Sequence, residues 1–220
     1  MKKKRTTRGN LRGTWCKPVH LAEVIVRRLL DAKDHTNYHC RKVDIMNEYT
    51  AKKCLVAYFS HRGMNYMSGK IVDLQRGNTE RAAEIIVQLT GGTAFRIETE
   101  AEYPYEYRET VAAAKEEKKT QARPALRHND LDVADYDLLF LGYPNWCGTI
   151  PMAVAAFLES HDFSGMTIKP FCTHEGSGFG TSLQDILALC PSCRLEEGLA
   201  LFGTTVGDAE SDIRHWLYRE

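Results

Sequence analysis

The sequence has no apolar run close to the ~18 residues that a membrane-spanning helix requires, which argues against an integral membrane protein. Its basic start, residues 1–5, is followed by no apolar stretch, so a secretory signal peptide is not expected. The 7 cysteines are odd in number and lack a repeating spacing, which argues against a disulfide framework. We therefore expect reduced thiols and a cytoplasmic protein.

The net charge of the whole chain is zero because two oppositely charged parts cancel. Residues 1–53 carry 14 Lys and Arg against 5 Asp and Glu, a net of +9, whereas residues 54–220 carry 15 against 24, a net of −9. This change predicts a basic N-terminal extension, residues 1–53, and an acidic folded domain, residues 54–220. Because an acidic domain repels nucleic acid and attracts basic protein surfaces, we expect protein partners and neither nucleic acid nor membrane.

One amphipathic helix is indicated within the extension, which we otherwise expect to be loosely ordered. Its apolar positions are Leu21, Val24, Ile25, Leu29 and Leu30. Two alternatives stay open, contact of the basic residues with nucleic acid or an anionic surface and a metal site. The ligand-type residues for such a site are Cys16, His20, His35, His39 and Cys40, in an order that matches no known zinc finger.

Residues 54–220 alternate short apolar runs with helical stretches, which is the pattern of βαβ units around a parallel sheet. The expected strands are residues 54–59, 94–98, 138–142, 166–172 and 195–202. The expected helices are residues 79–89, 105–120, 183–189 and 209–217, with one more opened by Pro151. The predicted fold class is α/β, a doubly wound three-layer sandwich with a five-stranded parallel sheet. The second strand alternates apolar and polar residues, which places it near a sheet edge.

Polar and glycine-rich segments follow the first, third and fourth strands, where ligands bind in such sheets. After the first strand, Ser60 and the group Gly77, Asn78 and Thr79 could cradle a phosphate at the positive end of the next helix. Asn78 could equally be an N-cap with no other role. After the third strand, Trp146 is either an aromatic platform for a planar ring or a hydrophobic lid over the core. These segments predict a binder of a phosphate or an extended planar group.

Four segments together resemble the flavodoxin family. They are residues 58–60, 77–80, 142–151 and 170–178, which read YFS, GNTE, GYPNWCGTIP and PFCTHEGSG. The likeness covers residues 54–220 and is greatest to bacterial flavodoxin-like proteins whose phosphate loop is interrupted by an insertion. It implies the strand order 2-1-3-4-5, with FMN bound where the strand order reverses.

The resemblance also implies which residues bind FMN. Its phosphate would be held by Ser60, Gly77, Asn78 and Thr79. The first ring loop would comprise Pro144, Asn145, Trp146, Cys147, Gly148 and Thr149, with Trp146 stacked on one face of the isoalloxazine. The second ring loop would comprise Thr173, His174, Glu175, Gly176, Ser177 and Gly178. No catalytic side chain and no metal are implied.

The sequence departs from compact flavodoxins after Ser60, where 16 residues precede the second half of the phosphate loop. Residues 67–74 predict a small hairpin around Ser68 and Gly69. Arg62 and Tyr66 either cover the flavin or lie on the surface.

Cysteines give no firm indication of a redox thiol. Cys190 and Cys193 form a C-x-x-C that follows a helix, where the helix dipole disfavours a thiolate, so a functional dithiol is not expected. Cys147 and Cys172 lie beside the expected flavin site, and small apolar packing explains them.

Two functions fit these residues. In the first, the protein is an FMN-binding electron carrier whose acidic domain meets the basic surfaces of redox partners, a reductase and an acceptor. In the second, it is an FMN-dependent NAD(P)H oxidoreductase of the quinone reductase type, with His174 aiding proton delivery. The acidic balance of residues 54–220 and the lack of a separate dinucleotide fingerprint favour the carrier. A flavin-free scaffold is disfavoured because all three loops keep polar and aromatic residues.

Overall fold

The described part of the chain is Tyr49 and residues 52–217 of a computed structural model. The expected amphipathic helix and the alternatives for residues 1–48 lie outside the described residues. Eight strands are described: β1 Cys54–Tyr58, β2 Gly63–Met67, β3 Lys70–Leu74, β4 Thr93–Arg96, β5 Leu138–Pro144, β6 Thr167–His174, β7 Arg194–Leu195 and β8 Leu199–Phe202. Five α-helices accompany them: α1 Asn78–Thr90, α2 Tyr107–Thr120, α3 Met152–Ser160, α4 Ser182–Leu189 and α5 Glu210–Leu217.

The central sheet is parallel and runs in the order β4-β1-β5-β6-β7, with β8 also paired to β6. Numbered by the five expected strands, this order is 2-1-3-4-5, so the predicted fold and strand order are confirmed. The strand β4 pairs with β1 alone among the described strands, as its alternating sequence predicts for an edge. In the centre, Gly142 of β5 lies beside Phe171 of β6, and a Cβ on Gly142 would collide with that ring.

The expected fifth strand differs from the observed one because it is divided. Its two pieces, β7 and β8, both pair with β6, and residues 196–198 separate them. The carbonyl of Glu197 in this gap accepts a 2.8 Å hydrogen bond from the indole nitrogen of Trp216 in α5. Opposite the gap lies Pro170 of β6, which has no N–H group to continue the ladder.

The insertion after Ser60 forms the expected hairpin. Strands β2 and β3 pair antiparallel as a separate two-stranded sheet, and Met67 lies opposite Lys70. The two turn residues, Ser68 and Gly69, have φ values of 48° and 86°, the left-handed pair that a tight two-residue hairpin turn requires.

Two apolar layers cover the sheet. One face packs against α3 and α4, and the other packs against α1 and α5. Large side chains such as Phe140, Phe157 and Phe171 are fully buried, and each such burial stabilises the fold by roughly 1.5–3 kcal/mol. The helix α1 ends at Gly91 with a φ of 71°, the left-handed C-cap expected from the Gly91-Gly92 pair.

Tyr49 belongs to this core although it precedes the expected boundary near Lys53. Its side chain is buried, its ring meets Phe140 edge-on at 5.6 Å between centroids, and its hydroxyl donates to the carbonyl of Leu217 over 3.0 Å. The packed domain therefore reaches upstream of residue 52. None of the helices in the described residues combines the length and the apolar character needed to cross a membrane.

Candidate functional site

A cavity of about 340 Å³ opens at the carboxyl ends of β1, β5 and β6. This edge is where the order of the parallel strands reverses, since the chain passes from β1 to β4 on one side and to β5 on the other. Of the residues expected to bind a ligand, the cavity brings together Asn78, Pro144, Asn145, Trp146, Cys147, Thr173, His174, Glu175 and Ser177. The volume is within the range of small-molecule sites.

Seven other expected residues do not line this cavity: Ser60, Gly77, Thr79, Gly148, Thr149, Gly176 and Gly178. Several of them shape the residues that do. The hydroxyls of Thr79 and Thr173 share a buried 2.8 Å hydrogen bond that joins the start of α1 to the end of β6. Thr149 donates its hydroxyl hydrogen to Asp185 of α4. These contacts give Thr79 and Thr149 a role in the fold, and contact with a ligand remains a prediction for all seven residues.

The start of α1 supplies the polar end of the cavity. Its N-cap is Gly77, which has no side chain, so the alternative of Asn78 as a simple N-cap is wrong. The Ser60 hydroxyl accepts the amide hydrogen of Glu80 over 3.1 Å. The side-chain oxygen Oδ1 of Asn78 is buried without a partner among the described residues. A buried acceptor of this kind costs free energy until a donor reaches it.

A tight turn carries the aromatic end of the cavity. The backbone N–H groups of Trp146 and Thr149 donate to each other's carbonyl oxygens over 3.0 and 3.1 Å, which closes a two-residue turn at Cys147 and Gly148. Within it, the Gly148 amide donates to Oδ1 of Asn145 over 2.9 Å. The Asn145 side-chain nitrogen donates in turn to the carbonyl of Gly178 over 2.6 Å. Asn145 therefore joins the two loops that the resemblance assigns to the flavin ring.

Trp146 is held on one side and open on the other. Three rings meet it edge-on, with centroid distances of 5.2 Å to Phe59, 5.0 Å to Tyr103 and 5.8 Å to His61. The indole is half-buried and also lines the cavity. The two interpretations of Trp146 from the sequence are therefore compatible, because the same side chain contacts the core and faces the cavity.

The loop after β6 is ordered by its own side chains. Nδ1 of His174 accepts the Gly176 amide hydrogen over 2.9 Å, and its ring lies 4.7 Å from the Phe202 ring centroid. Burial lowers the pKa of His174, so the neutral imidazole is favoured, with its hydrogen on Nε2. The Glu175 carboxylate accepts from the Ser68 amide over 3.0 Å and from the amide and hydroxyl of Thr204 over 2.8 and 2.7 Å.

Several cavity residues were not assigned from the sequence. One face of α2 contributes Tyr107, Thr110, Val111, Ala114 and Lys115, the hairpin contributes Met64, Asn65 and Tyr66, and His61 and Gly203 complete the wall. The α2 residues recur at the 3- and 4-residue spacing of a single helix face, so that signal was present. The sequence left open whether Arg62 and Tyr66 cover the flavin or lie on the surface. The structure places Tyr66 in the cavity wall, 44% exposed, and Arg62 outside this cavity.

Burial shifts the pKa values of His61, in the cavity wall, and of Cys172, in β6. The pKa of His61 is lowered by burial, and its Nε2 lies 3.0 Å from the Pro104 carbonyl, to which it can donate. Burial raises the pKa of the Cys172 thiol to about 12, so it stays protonated at neutral pH. Burial also raises the pKa of the Cys190 thiol, just after α4, to about 12. A protonated thiol at this position gives no support to a redox dithiol formed by Cys190 and Cys193.

The residues of the cavity fit FMN, the group implied by the resemblance. A flat ring system suits the Trp146 end, where the wall is aromatic. An anionic phosphate suits the start of α1, where the N-cap is a glycine and the positive end of the helix dipole favours negative charge. Between the ring and the phosphate, FMN carries ribityl hydroxyl groups, which can donate hydrogen bonds. The buried Oδ1 of Asn78 is an acceptor without a donor among the described residues, so a ribityl hydroxyl suits it.

Comparison with known proteins points to one family. The family described as Flavodoxin matches residues 53–219. Two crystal structures named putative flavoprotein are similar: the one from Bacteroides uniformis is 25% identical with a TM-score of 0.61, covering 76% of this chain and 98% of that chain. The one from Bacteroides eggerthii is 27% identical with a TM-score of 0.61, covering 77% and 99%.

A third structure extends the comparison to a protein with its cofactor. A flavoprotein from Lactobacillus acidophilus, crystallised in complex with FMN, is 17% identical with a TM-score of 0.55, covering 74% of this chain and 99% of that chain. At that identity the likeness shows the fold alone. No protein of curated function matches this sequence.

Proposed function

The chain belongs to the flavodoxin family, and on that premise we propose that it binds FMN in the cavity at the carboxyl edge of its sheet and exchanges electrons with partner proteins. The bound FMN would supply the electron chemistry by accepting and returning electrons. The protein supplies the pocket, the orientation of the ring and the electrostatics around it.

One observation carries the proposal. One cavity at the strand-order reversal has an aromatic wall at Trp146 and, at its other end, the start of α1, where Oδ1 of Asn78 is buried without a partner among the described residues. These features suit the ring, the phosphate and the hydroxyl-bearing chain of one molecule. In this role, Trp146 excludes water from one face of the flavin ring, and the start of α1 holds the phosphate. Asn145 connects the two ring loops through its hydrogen bonds to Gly148 and Gly178.

Charge supports the choice of protein partners. Residues 54–220 carry an excess of nine acidic residues, and a negative surface accelerates encounter with positively charged proteins. We infer that the reductase and acceptor dock through basic surfaces, which predicts that the rate of electron exchange falls as salt concentration rises.

A second function, direct reduction by NAD(P)H, is favoured by one observation. Two imidazoles, His61 and His174, line the same cavity, and either could exchange a proton with a bound substrate. The carrier remains the better-supported proposal because the excess of acidic residues opposes binding of an anionic dinucleotide.

The cofactor is tested first. Protein produced with ample riboflavin should be yellow, and acid extraction followed by chromatography should release about one FMN per chain. The expectation of FMN rests on the single helix start, that of α1, at the polar end of the cavity. Recovery of FAD at one per chain, or of no flavin from folded protein, would contradict the proposal.

The direction of electron flow is tested next by anaerobic titration of the FMN-loaded protein with NADPH. We expect the flavin absorbance to bleach only after a flavodoxin reductase is added in catalytic amount. Rapid bleaching by NADPH alone would favour the oxidoreductase over the carrier. A titration with dithionite on the same sample confirms that the flavin is reducible.

A further inference from the structure

The peptide that joins Cys147 to Gly148 is held at both of its polar atoms. Its carbonyl oxygen accepts a 2.8 Å hydrogen bond from Nζ of Lys118, a residue of α2. Its N–H group donates to Oδ1 of Asn145 over 2.9 Å. The peptide therefore has one orientation, with the carbonyl directed to α2 and the amide directed back into its own loop.

This orientation needs support because of the conformation of Cys147. Its φ is 53°, and only two other non-glycine residues of the described chain, Ser68 and Gln121, have positive φ. A side chain other than Gly or Asn in the left-handed region is strained, and such strain persists only where neighbouring contacts hold it. The Lys118 hydrogen bond is charge-assisted and therefore stronger than a neutral one. Thr181, at the start of α4, also reaches the turn and donates its amide hydrogen to the Gly148 carbonyl over 2.8 Å. Lys118 is the side chain that holds the carbonyl of Cys147 itself, the residue with the positive φ.

The turn also leaves little backbone free. The amides of Asn145, Trp146, Gly148 and Thr149 donate within the protein, which leaves the Cys147 amide as the one in this loop without an acceptor among the described residues. The direction of the Cys147 N–H group is set by the conformation of the turn, which the Lys118 hydrogen bond helps to hold. Cys147 lines the cavity, whereas Lys118 does not, so any effect of the lysine on a bound ring passes through the turn.

We propose that Lys118 is a positioning residue for the flavin: it fixes the Cys147–Gly148 turn beside the ring and keeps a positive charge one peptide away from it. This inference rests on the proposed function. Uptake of two electrons and one proton leaves a flavin with one additional negative charge. A nearby cation stabilises that charge, so Lys118 raises the reduction potential as well as the affinity for FMN.

The chain offers a matched control on the same helix. Lys119 follows Lys118, but its ammonium group pairs with Glu116 over 3.5 Å and its side chain is 77% exposed. The variants Lys118→Met and Lys119→Met lose the same charge, and only the first loses the contact with the turn. Lys118→Arg keeps both the charge and a donor for the carbonyl, so it tests rescue.

Three quantities are measured on each variant: the FMN dissociation constant from flavin fluorescence, the midpoint potential of the loaded protein, and the melting temperature of the apoprotein. For Lys118→Met we expect a roughly tenfold weaker affinity for oxidised FMN. Reduced FMN should lose a further factor of about ten, which corresponds to a potential about 30 mV lower for a two-electron couple. Lys119→Met and Lys118→Arg should stay within about twofold of the unsubstituted protein.

Other results would overturn the inference. Equal potential shifts in Lys118→Met and Lys119→Met would show an effect of bulk charge only. A lower apoprotein melting temperature with unchanged affinity and potential would show a structural role only. If Lys118→Met does not fold, Lys118→Gln serves as the variant that loses the charge, and an unchanged potential in it contradicts the inference. If the unsubstituted protein binds no FMN, the proposed function itself fails, which is distinct from these outcomes.

Discussion

Trp146 has a different environment on each side of its ring. Phe59, Tyr103 and His61 meet it edge-on, so its position is fixed before any ligand binds. The same indole forms part of the cavity wall. A preorganised aromatic surface loses little conformational entropy on binding, which makes Trp146 the first side chain at which to test the proposed contact with FMN.

Replacing Trp146 with alanine should weaken FMN binding by one to two orders of magnitude. An aromatic pair contributes roughly 0.5–1.5 kcal/mol beyond burial, further apolar contact is lost with it, and each ~1.4 kcal/mol is a factor of ten. Phenylalanine should recover much of the affinity, because it restores a flat ring. Flavin fluorescence, which a stacked indole quenches, should rise in both variants.

The deciding quantity for Trp146 is the dissociation constant. Alanine should also lower the melting temperature of the apoprotein, since three edge-on ring contacts disappear. If the melting temperature fell while the FMN dissociation constant and the quenching stayed unchanged, Trp146 would be only a lid on the core.

Among the elements, the hairpin of β2 and β3 depends most on contacts with the rest of the fold. A two-stranded hairpin alone is marginally stable in water, and β3 is largely exposed. At its base, the Met64 amide donates to the carbonyl of Tyr105 over 3.0 Å. At its tip, the Ser68 amide donates to the Glu175 carboxylate, which also holds the amide of Thr204. Glu175 therefore fastens the hairpin across the cavity to the loop after β6.

Changing Glu175 to alanine should loosen the tip of the hairpin. In the apoprotein, we expect hydrogen exchange of the amides of residues 66–70 to accelerate about tenfold, because an exposed hairpin opens readily once its tip is released. With FMN bound, the dissociation rate should rise as well. Asp130→Ala, at an exposed acidic residue outside the cavity, is the control. Unchanged exchange in the apoprotein would mean that the hairpin holds its position without Glu175.

The elements also show what the sequence could and could not predict. Apolar runs located β1 and β5 because strands buried on both faces are mostly apolar, and β6 was located although it contains the buried Lys169. The division of the fifth strand lies opposite Pro170, a residue that cannot donate to a ladder, whereas the bond from Trp216 to the Glu197 carbonyl in the gap has no local signal in the sequence. For the site, motifs identified the loops after β5 and β6. The α2 wall was missed because its residues resemble any amphipathic face until the cavity is located.

At the scale of the molecule, Tyr49 shows that the packed domain includes a residue of the basic segment 1–53. Removing residues 1–45 should leave FMN affinity and melting temperature nearly unchanged, because Tyr49 and the whole cavity are retained. Removing residues 1–51 deletes Tyr49 from the core. Loss of a large buried side chain costs roughly 3 kcal/mol, which for a domain of this size lowers the melting temperature by roughly 6–12 °C.

Thermal melting and flavin titration of the two shortened proteins check this prediction. If removal of residues 1–45 abolished FMN binding or made the protein insoluble, the basic segment would have to be part of the fold. Equal melting temperatures for the two shortened proteins would mean that Tyr49 contributes nothing.

The hydrogen bond from Tyr49 to the Leu217 carbonyl has a consequence for the connectivity of the chain. It brings the first and last described residues of the core together, within 3.0 Å between hydroxyl and carbonyl oxygens. Domains whose ends meet tolerate circular permutation, because a short linker can join them without displacing any strand. Joining residue 217 to residue 49 and opening the chain in the exposed loop at residues 128–130 would give the same cavity from a reordered sequence.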